Sequence, residues 1–280
     1  MESVKSIAPA GTCRRVCRVL YRKERSEARL VDLIWLFAIL SQLIRGILKT
    51  LSRGVVLKRR LPREFSSTPL FVSPESALGY WRRDISRVDP FLLSMARELV
   101  RPGMSVWDIG ANVGLFSFAA ASLGAHVVAV EPDPSLASLM QRSVRLNRLS
   151  VTVLSAAVSG SQGISKLYLS DDGRSSNSLI GSGSAQTVLM VTLDWMLEYF
   201  PAPQVLKVDV EGMEYAVLSG ARKVLQARPV IFCEVTECHD GVGELMRSAG
   251  YEFYAARTSE RQRLQRPSRD TLAIPKAHAR

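Results

Sequence analysis

Short apolar runs alternate along the chain with longer segments in which apolar residues recur every three or four positions. The short runs have the length of buried strands and lie at residues 104–109, 126–130, 151–154, 205–210 and 229–235. The longer segments have the apolar spacing of helices and lie at residues 91–100, 115–123, 135–149 and 213–225. Strands and helices that alternate in this way form a mainly parallel sheet with helices on both faces. The pattern therefore predicts an α/β fold of the Rossmann-like type.

Residues 164–169 and 188–193 alternate apolar and polar positions and predict an inserted hairpin. The polar, Gly- and Ser-rich segment 171–186 lies between them. Such a segment is either a flexible connection or a lid over a substrate, and the sequence leaves both alternatives open.

Residues 30–53 contain the longest apolar stretch, and their pattern predicts an amphipathic helix. The uninterrupted apolar core, residues 33–40, is far shorter than the ~20 residues that a helix needs to cross a bilayer. Polar residues follow one another at steps of four on one face: Ser41, Arg45, Lys49 and Arg53. Large apolar residues occupy the opposite face: Leu36, Ile39, Leu40, Leu43, Ile47 and Leu51. Such a helix lies flat on an anionic membrane or packs on protein, and both alternatives stay open.

The net charge of +11 is concentrated near the amino terminus. Residues 1–63 contain 15 Lys and Arg against 4 Asp and Glu, a surplus of 11, so residues 64–280 contain 22 of each kind. The surplus marks an extension, and we expect no specific nucleic-acid partner. We predict a basic extension over residues 1–63, an α/β domain over residues 64–256, and a basic tail over residues 257–280. The sequence leaves open whether this tail includes the last strand.

The four cysteines do not form the disulfide framework of a small secreted protein: Cys13, Cys17, Cys233 and Cys238. A reducing compartment fits this usage better. We therefore expect a cytoplasmic protein, peripheral on the membrane if the amino-terminal helix binds lipid.

The strand at residues 104–109 leads into the pattern Asp-x-Gly-x-Asn-x-Gly, formed by Asp108, Gly110, Asn112 and Gly114. The glycines permit a tight turn, and Glu131 ends the next strand where the ribose hydroxyls of a nucleoside-like cofactor would lie. The dinucleotide fingerprint requires three glycines, of which only Gly110 is present, so an NAD-dependent oxidoreductase is disfavoured. An acid two residues before the first glycine suits a cofactor with an ammonium group, which indicates S-adenosylmethionine.

Small residues at positions 155–158, Ala157 among them, follow the third strand. Side chains of this size would let an adenine ring lie flat against the backbone. We therefore include Ala157 among the candidate cofactor-binding residues.

Acidic residues end the two later strands, where ligands bind in open parallel sheets. Asp209 and Glu211 lie at the carboxyl end of the strand at 205–210, and Glu234 and His239 lie at the carboxyl end of the strand at 229–235. One of Asp209, Glu211 or His239 could act as a general base toward a hydroxyl group. Alternatively, Asp209, Glu211 and Glu234 could hold Mg²⁺, which prefers oxygen ligands. A third interpretation is structural, with Asp209 and Glu211 capping the next helix and bracing the turn.

Three strings together resemble the FkbM-type family of S-adenosylmethionine-dependent methyltransferases: residues 108–114, residues 130–132, and Leu-Lys-Val-Asp-Val-Glu-Gly-Met-Glu at 206–214. The resemblance covers residues 75–257. It implies a seven-stranded, mainly parallel sheet and methyl transfer to a hydroxyl group of a sugar, lipid-linked glycan or natural product. A non-catalytic, membrane-associated binding protein on the same fold is the alternative, and the intact Gly110, Gly114 and Glu131 argue against it.

Overall fold

The computed structural model of the protein describes residues 40, 42–44, 46–170, 173–258 and 260–276. The chain divides into two compact units, Met1–Leu51 and Ser52–Arg280. The described residues of the first unit are helical, and we call these residues, 40, 42–44 and 46–51, helix α1. They agree with the second half of the predicted amphipathic helix, whereas residues 30–39, Ser41 and Arg45 lie outside the described residues. Within the part of the chain that is described, no helix is long and apolar enough to cross a membrane.

The described residues of the second unit form thirteen strands and seven α-helices. The strands are β1 (Leu57–Arg60), β2 (Pro69–Val72), β3 (Ser105–Ile109), β4 (His126–Val130), β5 (Val151–Leu154), β6 (Ala157–Val158), β7 (Gly163–Tyr168), β8 (Ala185–Val191), β9 (Val205–Val208), β10 (Val230–Glu234), β11 (Tyr251–Ala255), β12 (Arg263–Leu264) and β13 (Asp270–Pro275). The helices are α2 (Pro90–Leu99), α3 (Leu115–Ser122), α4 (Pro134–Asn147), α5 (Leu193–Met196), α6 (Glu214–Ser219), α7 (Arg222–Gln226) and α8 (His239–Ser248).

The main sheet has the strand order β12-β11-β13-β10-β9-β3-β4-β5. Strands β5, β4, β3, β9 and β10 are parallel, and β13 is antiparallel to both of its neighbours. Seven of these strands form the sheet that the family resemblance implies, and the two-residue β12 extends its edge. The chain leaves β3 toward β4 on one side and returns to β9 on the other. This reversal opens a crevice at the carboxyl ends of β3 and β9.

Alternating side chains along the strands build an apolar layer on each face of the sheet. On β3, Val106 packs in the layer formed with α2, α3 and α4, whereas Trp107 packs in the layer formed with α6, α7 and α8. Both side chains are fully buried. The five predicted strands are confirmed to within two residues at each end, because continuous burial on both faces requires the apolar runs seen in the sequence.

The predicted hairpin is confirmed as β7 and β8, which pair antiparallel. It does not join the main sheet, since β8 pairs in parallel with β6 to form a separate three-stranded sheet.

The single helix predicted over residues 213–225 is wrong, because the structure has two helices, α6 and α7. A Cβ atom on Gly220, between them, would lie 2.8 Å from the carbonyl oxygen of Ser159. The carboxylate of Asp194 then accepts hydrogen bonds from the backbone N–H groups of Lys223 and Val224, at 2.8 and 3.1 Å. The second helix begins at this cap, which comes from a distant part of the chain and is not visible in the local pattern.

The last strand, β13, lies inside the sheet although it comes from the segment 257–280. It pairs with four residues of β10 and five residues of β11. Near the start of the unit in the sequence, β1 precedes residue 63 and its antiparallel partner β2 follows it. The compact unit therefore includes residues on both sides of the sequence range 64–256.

We predict that a chain ending at residue 256 does not fold, because its loss of β13 separates β10 from β11 and removes the buried Leu272 and Ala273 from the core. The measurement is thermal unfolding followed by circular dichroism. A matched chain ending at Lys276 retains every described strand and should unfold cooperatively. Cooperative unfolding of the shorter chain would show that β13 is dispensable.

Candidate active site

A cavity of about 270 Å³ opens at the carboxyl ends of β3, β4 and β9. Seven of the predicted site residues line it: Gly110, Asn112, Glu131, Ala157, Asp209, Glu211 and Glu234. Three predicted residues, Asp108, Gly114 and His239, do not line it. The structure therefore brings most of the predicted cofactor and acceptor residues to one place.

The turn after β3 requires glycine for steric reasons. Gly110 has a φ of +75°, and a Cβ atom there would collide with the backbone carbonyl oxygen of Asp209. Gly114 has a φ of +85°, and its Cβ atom would lie 2.8 Å from the ring of Phe118. Asn112 also has a left-handed conformation, and its side-chain oxygen accepts a hydrogen bond from the hydroxyl of Ser76. The two glycines thus let the turn pack tightly against the end of β9 and against α3.

Glu131 is 6% exposed and lines the cavity. Its two carboxylate oxygens accept hydrogen bonds from the backbone N–H groups of Asn112 and Asp133, at 2.8 and 2.9 Å. Each oxygen retains a lone pair with which it can accept from a ligand hydroxyl. Burial raises the pKa of Glu131 to about 7, against the effect of the two N–H groups, which lower it. This geometry fits the expected ribose contact.

Asp108 does not meet the cavity, so the expected contact with the cofactor's ammonium group is not supported. Strand alternation directs its side chain toward α3, where the hydroxyl of Ser117 donates to it at 2.6 Å. The other carboxylate oxygen lies 3.1 Å from the Nζ atom of Lys207. The cation that Asp108 pairs with therefore belongs to the protein.

Lys207 is 2% exposed and lies at the centre of the site. Its Nζ atom is 3.1 Å from Asp108, 3.3 Å from a carboxylate oxygen of Asp209, and 3.1 Å from the carbonyl oxygen of Gly110. Burial disfavours its charged form, but the two carboxylates outweigh burial and raise the pKa of Lys207. Lys207 was not among the site residues predicted from the sequence, although a lysine inside an apolar strand is an available signal.

Glu211 lies in the turn after β9 with a left-handed φ of +48° and is half-buried. Burial, followed by the negative charges of Asp209, Glu234 and Glu214, raises the pKa of Glu211 to about 7. The structural bracing that was one interpretation of Asp209 and Glu211 is done by Glu214. Its carboxylate accepts from the N–H of Gly212 at 2.9 Å and lies 3.2 Å from the hydroxyl of Thr236.

The geometry does not support the magnesium site expected from Asp209, Glu211 and Glu234. Within the described ranges, no three His, Cys, Asp or Glu side chains converge as a metal site requires. Asp209 is paired with Lys207, and Glu234 is paired with Arg269 at 2.7 Å. Two of the three candidate ligands are thus already neutralised by protein cations.

His239 is not supported as a base, because it begins α8 outside the cavity. Its Nδ1 atom lies 3.1 Å from the carbonyl oxygen of Pro267. The residue before it, Cys238, has a left-handed φ of +51° and turns the chain into the helix. This turn was not apparent from the sequence.

The segment between β7 and β8 contacts both sides of the cavity. Arg174 lies between two carboxylates, 2.7 Å from Asp133 and 3.0 Å from Glu75. Asn177 donates to Asp133 at 3.0 Å, and the hydroxyl of Ser178 donates to the carbonyl oxygen of Glu211 at 2.9 Å. These loop residues line the cavity, which favours a covering role over a flexible connection.

A family model described as the methyltransferase FkbM domain matches residues 108–253. The chain is similar to the hexuronic acid methyltransferase AglP of Haloferax volcanii, with 27% identity over 170 residues that cover 60% of this chain and 70% of that protein. It is also similar to the ribosomal protein L11 methyltransferase of Leuconostoc citreum, with 29% identity over 98 residues that cover 34% of this chain and 32% of that protein.

Among solved structures, the chain is similar to a methyltransferase FkbM from Methylobacillus flagellatus, with a TM-score of 0.40 and 16% identity. That match covers 69% of this chain and 60% of the other. The 16S rRNA methyltransferase RsmC of T. thermophilus gives a TM-score of 0.42 and 16% identity, with coverage of 79% and 50%.

We predict that Glu131→Gln weakens S-adenosylhomocysteine binding at pH 8 roughly ten- to a hundredfold, because an ionised acceptor of ribose hydrogen bonds is lost. The wild-type affinity should also rise roughly five- to tenfold from pH 6 to pH 8. The carboxyl with a pKa of about 7 is mostly protonated at pH 6, and ribose hydroxyls bind its ionised form better. Isothermal titration calorimetry measures both effects.

Glu198→Gln is the control, since Glu198 is exposed and does not line the cavity. It should retain the wild-type affinity and pH dependence, whereas Glu131→Gln should show little pH dependence. A folded Glu131→Gln protein with unchanged affinity would contradict the ribose role.

Proposed function

Because the chain belongs to the FkbM family of S-adenosylmethionine-dependent methyltransferases, whose model matches more than half of it, we propose that it methylates a hydroxyl group. The proposed acceptor is a sugar, a lipid-linked glycan or a natural product. One observation supports a hydroxyl acceptor above others: Glu211 lines the cavity with a pKa of about 7. A base of this strength removes a proton from an attacking alcohol near neutral pH.

The residues around the glycine turn fit the cofactor. Glu131 would accept from the ribose hydroxyls, and Ala157, which is 3% exposed, would lie against the adenine. Gly110 also lines the cavity, and without a side chain its backbone would come close to the rest of the cofactor. Bound S-adenosylmethionine supplies an electrophilic methyl group.

The acidic residues at the end of β9 would orient and activate the acceptor. Its hydroxyl oxygen forms a bond to the methyl carbon as the carbon–sulfur bond breaks, and its proton passes to the carboxylate of Glu211. Asp209, whose side chain is 33% exposed, would accept a hydrogen bond from the acceptor and fix its direction. The protein thus contributes mainly alignment and proton transfer.

Lys207 acts in this proposal as a positioning residue. Its ammonium group pairs with one carboxylate oxygen of Asp209 and so fixes that carboxylate at the cavity edge. It also binds the carbonyl oxygen of Gly110, which belongs to the cofactor turn. The ammonium group of Lys207 therefore fixes the carboxylate of Asp209 relative to the turn that would hold the cofactor.

An acceptor panel tests the function. The protein is incubated with S-adenosylmethionine labelled in its methyl group, and transfer is measured to neutral hexoses, hexuronic acids, lipid-linked glycans, and amines of peptides. The name of the similar AglP protein makes a hexuronic acid a natural first choice. Transfer to a hydroxyl group supports the proposal, whereas transfer confined to amines or no binding of S-adenosylhomocysteine overturns it.

We predict that Glu211→Gln lowers kcat by about 10²- to 10⁴-fold, the usual loss when a general base is removed. Affinity for S-adenosylhomocysteine should stay within about threefold of wild type, because Glu211 has no assigned contact with the cofactor. Glu244→Gln, an exposed substitution outside the cavity, is the control and should retain full activity. Near-normal turnover by a folded Glu211→Gln protein would assign the base to another group.

We predict that Lys207→Met lowers the free energy of unfolding by about 3–5 kcal/mol, since Asp108 is left as an unpaired buried charge. The double variant Asp108→Asn/Lys207→Met should recover most of this stability, because both charges are gone. Its kcat should nevertheless stay at least roughly tenfold low, since Asp209 still lacks its partner. Chemical denaturation and steady-state kinetics measure the two quantities.

Asp209→Asn serves as the comparison, because it removes the carboxylate that Lys207 positions and should lower kcat with little change in cofactor affinity. If the double variant regains both stability and kcat, Lys207 has only a structural role.

A further inference from the structure

Helix α1 exposes a continuous apolar stripe. Leu43, Ile47 and Leu51 follow one another at steps of four, and each is 60% exposed. Residues at this spacing lie on one face of a helix. Leu40 and Ile44 widen the stripe and are 53% and 48% exposed. An apolar face of this size on the surface of a water-soluble protein indicates a binding surface.

The polar positions of α1 lie on the side opposite the stripe. Gln42 is exposed, and Lys49 lies at the same helical phase. The hydroxyl of Thr50 donates to the carbonyl oxygen of Gly46 at 3.0 Å and is thus satisfied within the helix. The helix therefore separates an apolar side from a polar side.

Basic residues dominate the sequence around the helix. The charge surplus of 11 in residues 1–63 equals the net charge of the whole chain. The apolar stripe and the surrounding basic residues together match a surface that has negative charge outside and an apolar interior. A second copy of the same helix would instead bring like charges together.

The stripe determines the orientation of α1 on such a surface. A stripe along one side of a helix is buried when the helix lies in the plane of the membrane.

We propose that α1 docks on the surface of a bilayer that contains anionic phospholipid. The stripe of Leu40, Leu43, Ile44, Ile47 and Leu51 enters the boundary between headgroups and acyl chains, and the basic residues face the phosphate groups. The docking of α1 does not depend on the identity of the methyl acceptor.

The test is co-sedimentation of the full-length protein with vesicles of phosphatidylcholine alone or mixed with phosphatidylglycerol. We expect binding to the mixed vesicles, at least roughly tenfold weaker binding to phosphatidylcholine alone, and release as salt rises from about 0.1 to 0.5 M. Ile47→Ser/Leu51→Ser should weaken binding to the mixed vesicles at least roughly tenfold.

Gln42→Ser is the matched control on the polar side and should bind as wild type does. Circular dichroism confirms that each variant is folded. The proposal is overturned if the folded protein binds neither vesicle, or if Gln42→Ser loses binding as strongly as the double variant. It is also overturned if the wild-type protein is a dimer in solution, the Ile47→Ser/Leu51→Ser variant is a monomer, and the two bind vesicles equally.

Discussion

The site depends on a single buried cation. Lys207 lies between the carboxylates of Asp108 and Asp209, and its third contact is the carbonyl oxygen of Gly110. Each of these charges alone would be costly to remove from water, so the groups are stable only together. Their pairing joins the turn after β3 to the end of β9. The two halves of the cavity, which come from distant parts of the chain, therefore have a fixed mutual geometry.

The parallel part of the fold was predictable because its strands are buried on both faces. A run such as residues 126–130 contains almost only apolar side chains, so the limits of the run predict the limits of the strand. The break between α6 and α7 was not predictable, since it depends on the contact of Gly220 with Ser159 and on the cap from Asp194. The insertion of β13 between β10 and β11 likewise depends on pairing with distant strands, which local periodicity does not encode.

Most of the site residues predicted from the sequence line the cavity, but the sequence did not predict which side chains pair with one another. Parallel strands end at the same edge, so the sequence could bring Glu131, Asp209 and Glu211 together. It could not show that Asp108 faces α3 and pairs with Lys207, because that requires knowledge of which strands are neighbours. Arg174 was equally hidden, since its two carboxylate partners belong to separate segments of the chain.

The position of β13 also affects how the protein forms during synthesis. Of the described strands it is translated last, yet it lies between β10 and β11, which have to wait for it before they can join one sheet. Pairing between such distant segments is slow, and the unfinished sheet leaves two strand edges open in the meantime. Helix α1 precedes every strand of the sheet in the chain. Its exposed apolar stripe therefore leaves the ribosome before the sheet is complete.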